Sequence, residues 1–545
     1  MGWRIKVLLA LGVVVAIPAW ALDKQDFQAC DGRVHPAKST DGMRGVAGST
    51  RRAYAELARG SGATIEACNR ALASPRLLPT QTLRRAHLLR ARAAAHLGAS
   101  AAADALKDLD AADAALGTMA SDRFMKRSMG VSLSLLRALA RAQAGDATGA
   151  AALARSTAAE RPYSLQVQRV AATIVQASRS AGDGSPSPWT AAGKLDPQTN
   201  VTALINEAEI GNFAGVVALR PALTVDWPTG PLAPLGLVTQ DPMTTEMLAA
   251  IMVSLHTAYA RAATGNVEGA RRDLGDVRKY LSASRPAADG KAMPVPAASA
   301  LSDVLHAFVD TRARQIEARI AVAEKRPADA LAALVAAPMP RDAATLDLLG
   351  AIKAAAPAGD AKLVPDLAPF EKDVTDGRRK ALTNVIPLAL IAPETPRAVI
   401  DYARARPNIM GALVGAAFSM GTSLLGGVSR TDGFRSTNNP DGTITVEFIG
   451  NTPSATLIQE MTLLRAAEVA RAAGRPAFVI AKRKDYTRSL VRTQYGAQIS
   501  STPTGYKSEL TIRPVAAGAE PGRALDAVAI IDQLGPLYYQ EKPSA

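Results

Sequence analysis

The sequence predicts a mainly α-helical protein, an array of helical hairpins followed by a small two-layer α+β domain. Three observations carry that expectation. Hydrophobic residues make up 48% of the 545, yet aromatics are only 4%, a mix that suits closely packed helices better than a β-sandwich. Apolar residues recur at three- and four-residue steps through the first two thirds of the chain. From about Asp432 the rhythm changes to strand-like alternation.

The N-terminus comes first. Arg4 and Lys6 precede an uncharged stretch from Val7 to Trp20 and the small-residue site Ala19-Trp20-Ala21. That is the layout of a secretory signal, residues 1–21, and its apolar part is too short to span a bilayer comfortably. Cleavage would remove two positive charges, so the formal net charge of +14 would fall to +12. Cys30 lies beyond the expected cut and follows Phe27-Gln28-Ala29, which is not a lipid-attachment sequence. The expectation is a periplasmic protein, exported and without a lipid anchor.

Cys30 and Cys68 are the two cysteines. In an exported chain an isolated pair reads most simply as a disulfide. Two buried thiols or a metal pair are the alternatives, but the five histidines are scattered and no C-x-x-C or H-x-x-x-H spacing occurs.

Helical repeats are expected over residues 22–182, where TIEACNRALASP, with Cys68, Ala71 and Pro75, looks like the second helix of one pair and ARAAAHLGASAAADALKDLDAA holds another. Ala91, Ala94 and Leu97 form one stripe and Ala105, Leu109 and Ala112 the next, with Gly98 between them. The plan returns with Ala138, Gly145, Ala150 and Pro162, then with Ala258, Gly265, Ala270 and Leu274. A fourth copy has Ala318, Ala330, Leu334 and Ala337. Residues 183–242 hold eight prolines and both Trp189 and Trp227, which predicts an irregular connection. A second helical region is expected over 243–430. It contains the uncharged stretch Ile409 to Val428 with Gly411 and Gly415, read as a packed helix ending in a glycine-rich hinge rather than a membrane span.

These copies resemble tetratricopeptide (TPR) repeats. Gly145 and Gly265 lie five residues before Ala150 and Ala270, and Pro162 falls at a closing-proline position, as in that family. The first copy departs by two extra turn residues, and Lys325 stands where the fourth turn would have glycine. The resemblance implies stacked hairpins with a concave groove. Its partner-reading positions would be Leu135 and Leu139 in one copy and Leu255 and Tyr259 in another. These are apolar, so an apolar helix or extended segment of another protein is the expected partner.

The C-terminal domain is expected over 431–545. Thr443–Ile449 alternates as a strand, Thr452 and Pro453 open a helix, and Gly474 ends it. Further strands are predicted at Pro476–Lys482, Ser508–Val515 and Ala524–Asp532. If the first two share one sheet, the strand–helix–strand unit implies parallel pairing. Gly450, Asn451, the run Leu463 to Glu468, Phe478 and Val479 resemble a domain of uncharacterised bacterial envelope lipoproteins. That likeness implies an envelope setting and no reaction.

No nucleophile elbow, phosphate loop, dinucleotide fingerprint or H-E-x-x-H occurs in the chain. No enzyme activity, cofactor or metal is therefore expected. The leading reading is a periplasmic, non-enzymatic scaffold or adaptor with a protein partner in the envelope. The alternative is an envelope module whose C-terminal domain holds an anionic glycan or lipid. Lys482, Arg483, Lys484, Arg488 and Arg492 would form its anion-binding patch. Nucleic acid is not expected for an exported chain.

Overall fold

The computed structural model describes residues 19–38, 40–43, 62–179, 185–223, 225, 227–228, 242–286, 292–294, 302–394, 433–450, 454–494 and 497–539. Of the expected signal, only Ala19–Ala21 is included, at the start of the first helix, and Ile409–Val428 lies outside. Among the described residues no helix is long and apolar enough to cross a membrane. The protein is mainly helical with a small antiparallel sheet near the C-terminus. Its chain divides into two compact units, Met1–Ala120 and Ser121–Ala545, a division that differs from the boundaries read from composition.

In the first unit, helices α1 (Ala19–Asp31), α2 (Gly62–Ala73), α3 (Thr82–Gly98) and α4 (Ala102–Leu116) pack in sequence. The Cys30–Cys68 disulfide ties α1 to α2. Asp31, Arg84 and His87 are fully buried together. Arg84 Nη2 donates to Asp31 Oδ1 at 2.9 Å, and His87 Nδ1 lies 2.9 Å from Asp31 Oδ2. Burial pushes the His87 pKa down to about 3, against the pull of Asp31.

The second unit holds α5 (Val131–Gln143), α6 (Ala147–Glu160), α7 (Leu165–Ala177), α8 (Thr190–Leu195), α9 (Gln198–Glu209) and α10 (Phe213–Leu219). It continues with α11 (Pro242–Ala263), α12 (Val267–Ser282), α13 (Ser302–Ala323), α14 (Pro327–Val335), α15 (Ala343–Ala355) and α16 (Ala368–Asn384). A short strand pair, β1 (Ser284–Pro286) and β2 (Ala292–Pro294), lies between α12 and α13.

Five hairpin turns follow one chemistry. Ser100, Gly145, Gly211, Gly265 and Lys325 all have positive φ, between 60° and 91°. In each turn the next N–H bonds back to the carbonyl five residues earlier, as Asp146 does to Arg141 at 2.9 Å and Asn266 to Arg261 at 2.8 Å. Five residues after each lies a fully buried Ala105, Ala150, Val216, Ala270 or Ala330. Two sequence expectations change here. Ser100, not Gly98, takes the left-handed position, so the first copy has no extra turn residues. Within the stretch 183–242, read from sequence as an irregular connection, the described residues include the helices α8, α9 and α10, and Gly211 turns a further hairpin.

The sheet has the order β3-β4-β6-β5-β7 and is antiparallel throughout. Its strands are β3 (Gly433–Asn438), β4 (Ile444–Gly450), β5 (Ala477–Gln494), β6 (Ala497–Val515) and β7 (Leu525–Asp526). β4 and β5 run in the same direction, as the strand–helix–strand unit requires, but β6 lies between them and they do not pair. Helix α17 (Ala455–Ala472) packs on β4, β5 and β6. Ser454, not Thr452, caps it, accepting from the Leu457 N–H. Gly474 ends it as expected, with φ +72°.

Of the strand expected over Ala524–Asp532, only Leu525–Asp526 is extended, as β7 paired with β5, and the rest is helical. Asp526 accepts the N–H groups of Val528 and Ala529 and so starts α18 (Ala527–Tyr538). Ala527, Ile530, Leu534 and Tyr538 are buried at helical spacing, and that stripe outweighs the local β-branched content. The sheet shares one apolar core with the helices: Phe448, Met461 and Phe478 cluster with Leu165, Trp189 and Ala203.

Candidate functional site

A cleft of about 370 Å3 lies between α7 and α9 on one side and α15 and α16 on the other. Helix α16 creates it. Asp373, Gly377, Lys380 and Asn384 recur at three- and four-residue steps along the face that lines the cleft, whereas Phe370 and Leu382 are its buried apolar residues. A methyl group added at Gly377 would meet no atom within 4 Å, so the wall is open there. Trp189, Ile210 and Val374 supply the apolar lining.

The opposite wall is fixed by buried polar contacts. Arg179 Nη1 donates to Glu207 Oε1 at 2.7 Å, and Asn212 of the hairpin turn donates to Glu207 Oε2 at 2.8 Å. These hold the end of α7 against α9. Asp342 caps α15 through the Thr345 N–H at 2.8 Å and also accepts from Arg312 at 2.8 Å and Gln315 at 3.1 Å. Arg341 pairs with Asp373 at 3.5 Å. Glu209 is exposed at the cleft edge, and its partial desolvation raises the carboxyl pKa against the opposing pull of Arg312.

A second cavity of about 30 Å3 shares Glu209, Asp342 and Ala343 with the cleft. His256 lines it, with Nε2 buried and without a hydrogen-bond partner. Burial, aided by Arg312, pushes its pKa down to about 3. Tyr259 sits beside it, its hydroxyl 2.6 Å from the Ala344 carbonyl and 2.8 Å from Asp347 Oδ2.

The residues singled out from sequence fare differently. Cys30 and Cys68 form the expected disulfide. Leu135, Leu139, Leu255 and Tyr259 are at most 4% exposed; Leu135 and Leu139 are buried in the core, while Leu255 and Tyr259 line the small second cavity. Their apolar character serves packing between neighbouring helices. The basic cluster divides. Lys482 and Lys484 are exposed, while the Arg483 side chain is only 5% exposed. Arg483 donates to the Leu195 carbonyl at 3.1 Å and to Asp485 at 2.8 Å, tying β5 to α8. In the strand register Lys484 lies opposite Glu509. Arg488 and Arg492 continue β5, paired with Gly505 and Ser500.

Sequence reasoning missed the cleft because its walls come from segments about 170 residues apart. It also missed a buried ionic cluster. Arg161, Glu394, Glu460 and Tyr538 are each at most 1% exposed. Arg161 donates to Glu460 at 2.8 Å and to Glu394 at 3.0 Å, and the Tyr538 hydroxyl donates to Glu460 at 2.5 Å. Arg127 reaches Glu460 at 3.0 Å, and Ser454 donates to Glu394 at 2.7 Å. This cluster joins the α6–α7 corner, α17 and α18.

No family model matches the chain, and no curated protein or solved structure is similar to it.

Proposed function

We propose that this protein is a non-enzymatic adaptor of the bacterial envelope, whose TPR-like hairpins present the α7/α9–α15/α16 cleft to a segment of a partner protein. One observation carries the proposal: the cleft is open, partly apolar and formed across non-consecutive helices, as ligand sites commonly are. Its carboxylates support binding over chemistry. Asp342 is engaged in capping α15 and Asp373 in an ion pair. The disulfide accords with an oxidising compartment such as the periplasm, the setting the N-terminal sequence suggests.

Co-purification after cross-linking of intact envelopes tests this, comparing the natural chain with Gly377→Leu. Leucine fills the open wall and favours the helix more than glycine does, so the fold is kept. The proposal expects a discrete partner retained by the natural chain and lost with the variant. Equal retention by both, or by neither, overturns it.

A further inference from the structure

The cleft holds hydrogen-bond donors that the fold leaves unanswered. Trp189 lines it and is 5% exposed, and its indole Nε1 is buried with no acceptor. Arg378 lines it as well. Its Nη2 makes a long bond of 3.4 Å to the Ile210 carbonyl, while its Nε is buried with no acceptor. Asp373 on the same helix is engaged by Arg341. Among the described residues neither Arg378 nor Lys380 has a carboxylate within ion-pair distance. The Arg378 pKa is lowered by burial, with no carboxylate acting against it. A guanidinium with a free edge favours a carboxylate over a neutral carbonyl.

The remaining lining sets the rest of the ligand. The Trp189 ring, Ile210 and Val374 offer an apolar body contact. The Glu209 carboxylate at the edge opposes a second negative charge on the ligand. This combination disfavours a dianion such as a phosphate monoester.

We infer that the cleft recognises a single carboxylate on an apolar body, supplied by one acidic side chain within an otherwise apolar partner segment. This rests on the reading of the cleft as the partner site. The half-buried Arg378 guanidinium receives the carboxylate oxygens, and the exposed Lys380 adds positive potential along the same helix.

Calorimetric titration of the full chain with 4-phenylbutyrate and with its uncharged amide tests the inference. Saturable binding of the acid is expected, with the amide about tenfold weaker or worse. Arg378→Gln should bring the acid down to the level of the amide while the thermal midpoint stays unchanged. Lys380→Gln on the helix surface provides a second reading, with a smaller loss expected. Equal affinity for acid and amide, no binding of either at millimolar concentration, or an unchanged affinity in Arg378→Gln overturns the inference. The two proposals fail separately. A partner captured at the cleft without any acid preference removes only this inference. Acid preference without a captured partner removes the adaptor reading and, with it, the partner segment as the source of the carboxylate, leaving only a carboxylate-binding cleft.

Discussion

Arg161 Nε donates to Glu460 Oε1 at 2.8 Å, and neither side chain is exposed to solvent. The pair spans 299 positions of sequence and joins the corner between α6 and α7 to the helix that covers the sheet. Burial opposes both charges. Arg161 and Arg127 hold the Glu460 carboxyl down to about 2 in spite of it, whereas burial and the neighbouring Glu460 charge raise Glu394. Two carboxylates thus share one buried guanidinium with different proton affinities.

Breaking this cluster on one side should be expensive, because it leaves a buried charge alone. Arg161→Met is expected to cost about 3–5 kcal/mol in urea unfolding. Combining it with Glu460→Leu and Glu394→Leu should recover much of that loss, since no orphan carboxylate then remains. A triple variant no more stable than the single one would contradict the assignment.

Acid sensitivity should come from buried histidines before it comes from Glu460. His87 and His256 have folded values of about 3 against the ordinary 6.5. Between those limits the unfolded chain binds more protons. Their contribution is therefore complete above pH 6.5 and is lost as the pH falls toward 3. Each should lower stability by about 1.4 kcal/mol per pH unit within that window. Glu460 adds its own loss only as the pH falls below about 4.5 toward 2. Urea midpoints at pH 7 and pH 5 check this, and His256→Gln should flatten the dependence of the second unit.

The hairpin turns make a prediction of opposite signs. Gly265 has φ +90° with nothing within 4 Å of an added Cβ, so Gly265→Ala strains only the backbone and should cost about 1 kcal/mol. Lys325 holds φ +62°, and Lys325→Gly should stabilise by a few tenths to about 1 kcal/mol. Asn266→Ala, which removes the bond to the Gly269 N–H, should cost about 1 kcal/mol. Thermal midpoints of the three variants give the signs directly.

The Cys30–Cys68 bridge closes a sequence separation of 38 residues. In the chain-entropy account it stabilises the first unit by about 4 kcal/mol. Reduction should raise hydrogen exchange across α1 and α2 toward that of an opened unit. Unchanged protection there would show that burial of Asp31, Arg84 and His87 suffices alone.

Much of the helical plan was legible from spacing, since Ala150, Ala270 and Ala330 are buried where the repeat places them. The Gly211 hairpin was obscured by surrounding prolines, although Gly211-Asn212 followed by Gly215 repeats the pattern of Gly265-Asn266 and Gly269. Helix α18 looked like a strand because Val528, Ile530 and Ile531 are β-branched, and only the Asp526 cap and the spacing to Leu534 and Tyr538 marked it otherwise. The cleft and the Arg161 cluster were not legible. Both depend on which distant segments meet, and local pattern carries no record of that. Two of the apolar positions read as a groove, Leu135 and Leu139, show the same limit, because an apolar stripe does not say which neighbour covers it.

The most direct test of the account is a photo-cross-linking residue placed at Val374, on the cleft wall, and separately at Leu363, which is 69% exposed away from it. The account expects one discrete protein adduct from position 374 in intact envelopes, abolished by Gly377→Leu and absent from position 363. The same adduct from both positions, or none from position 374, would contradict it.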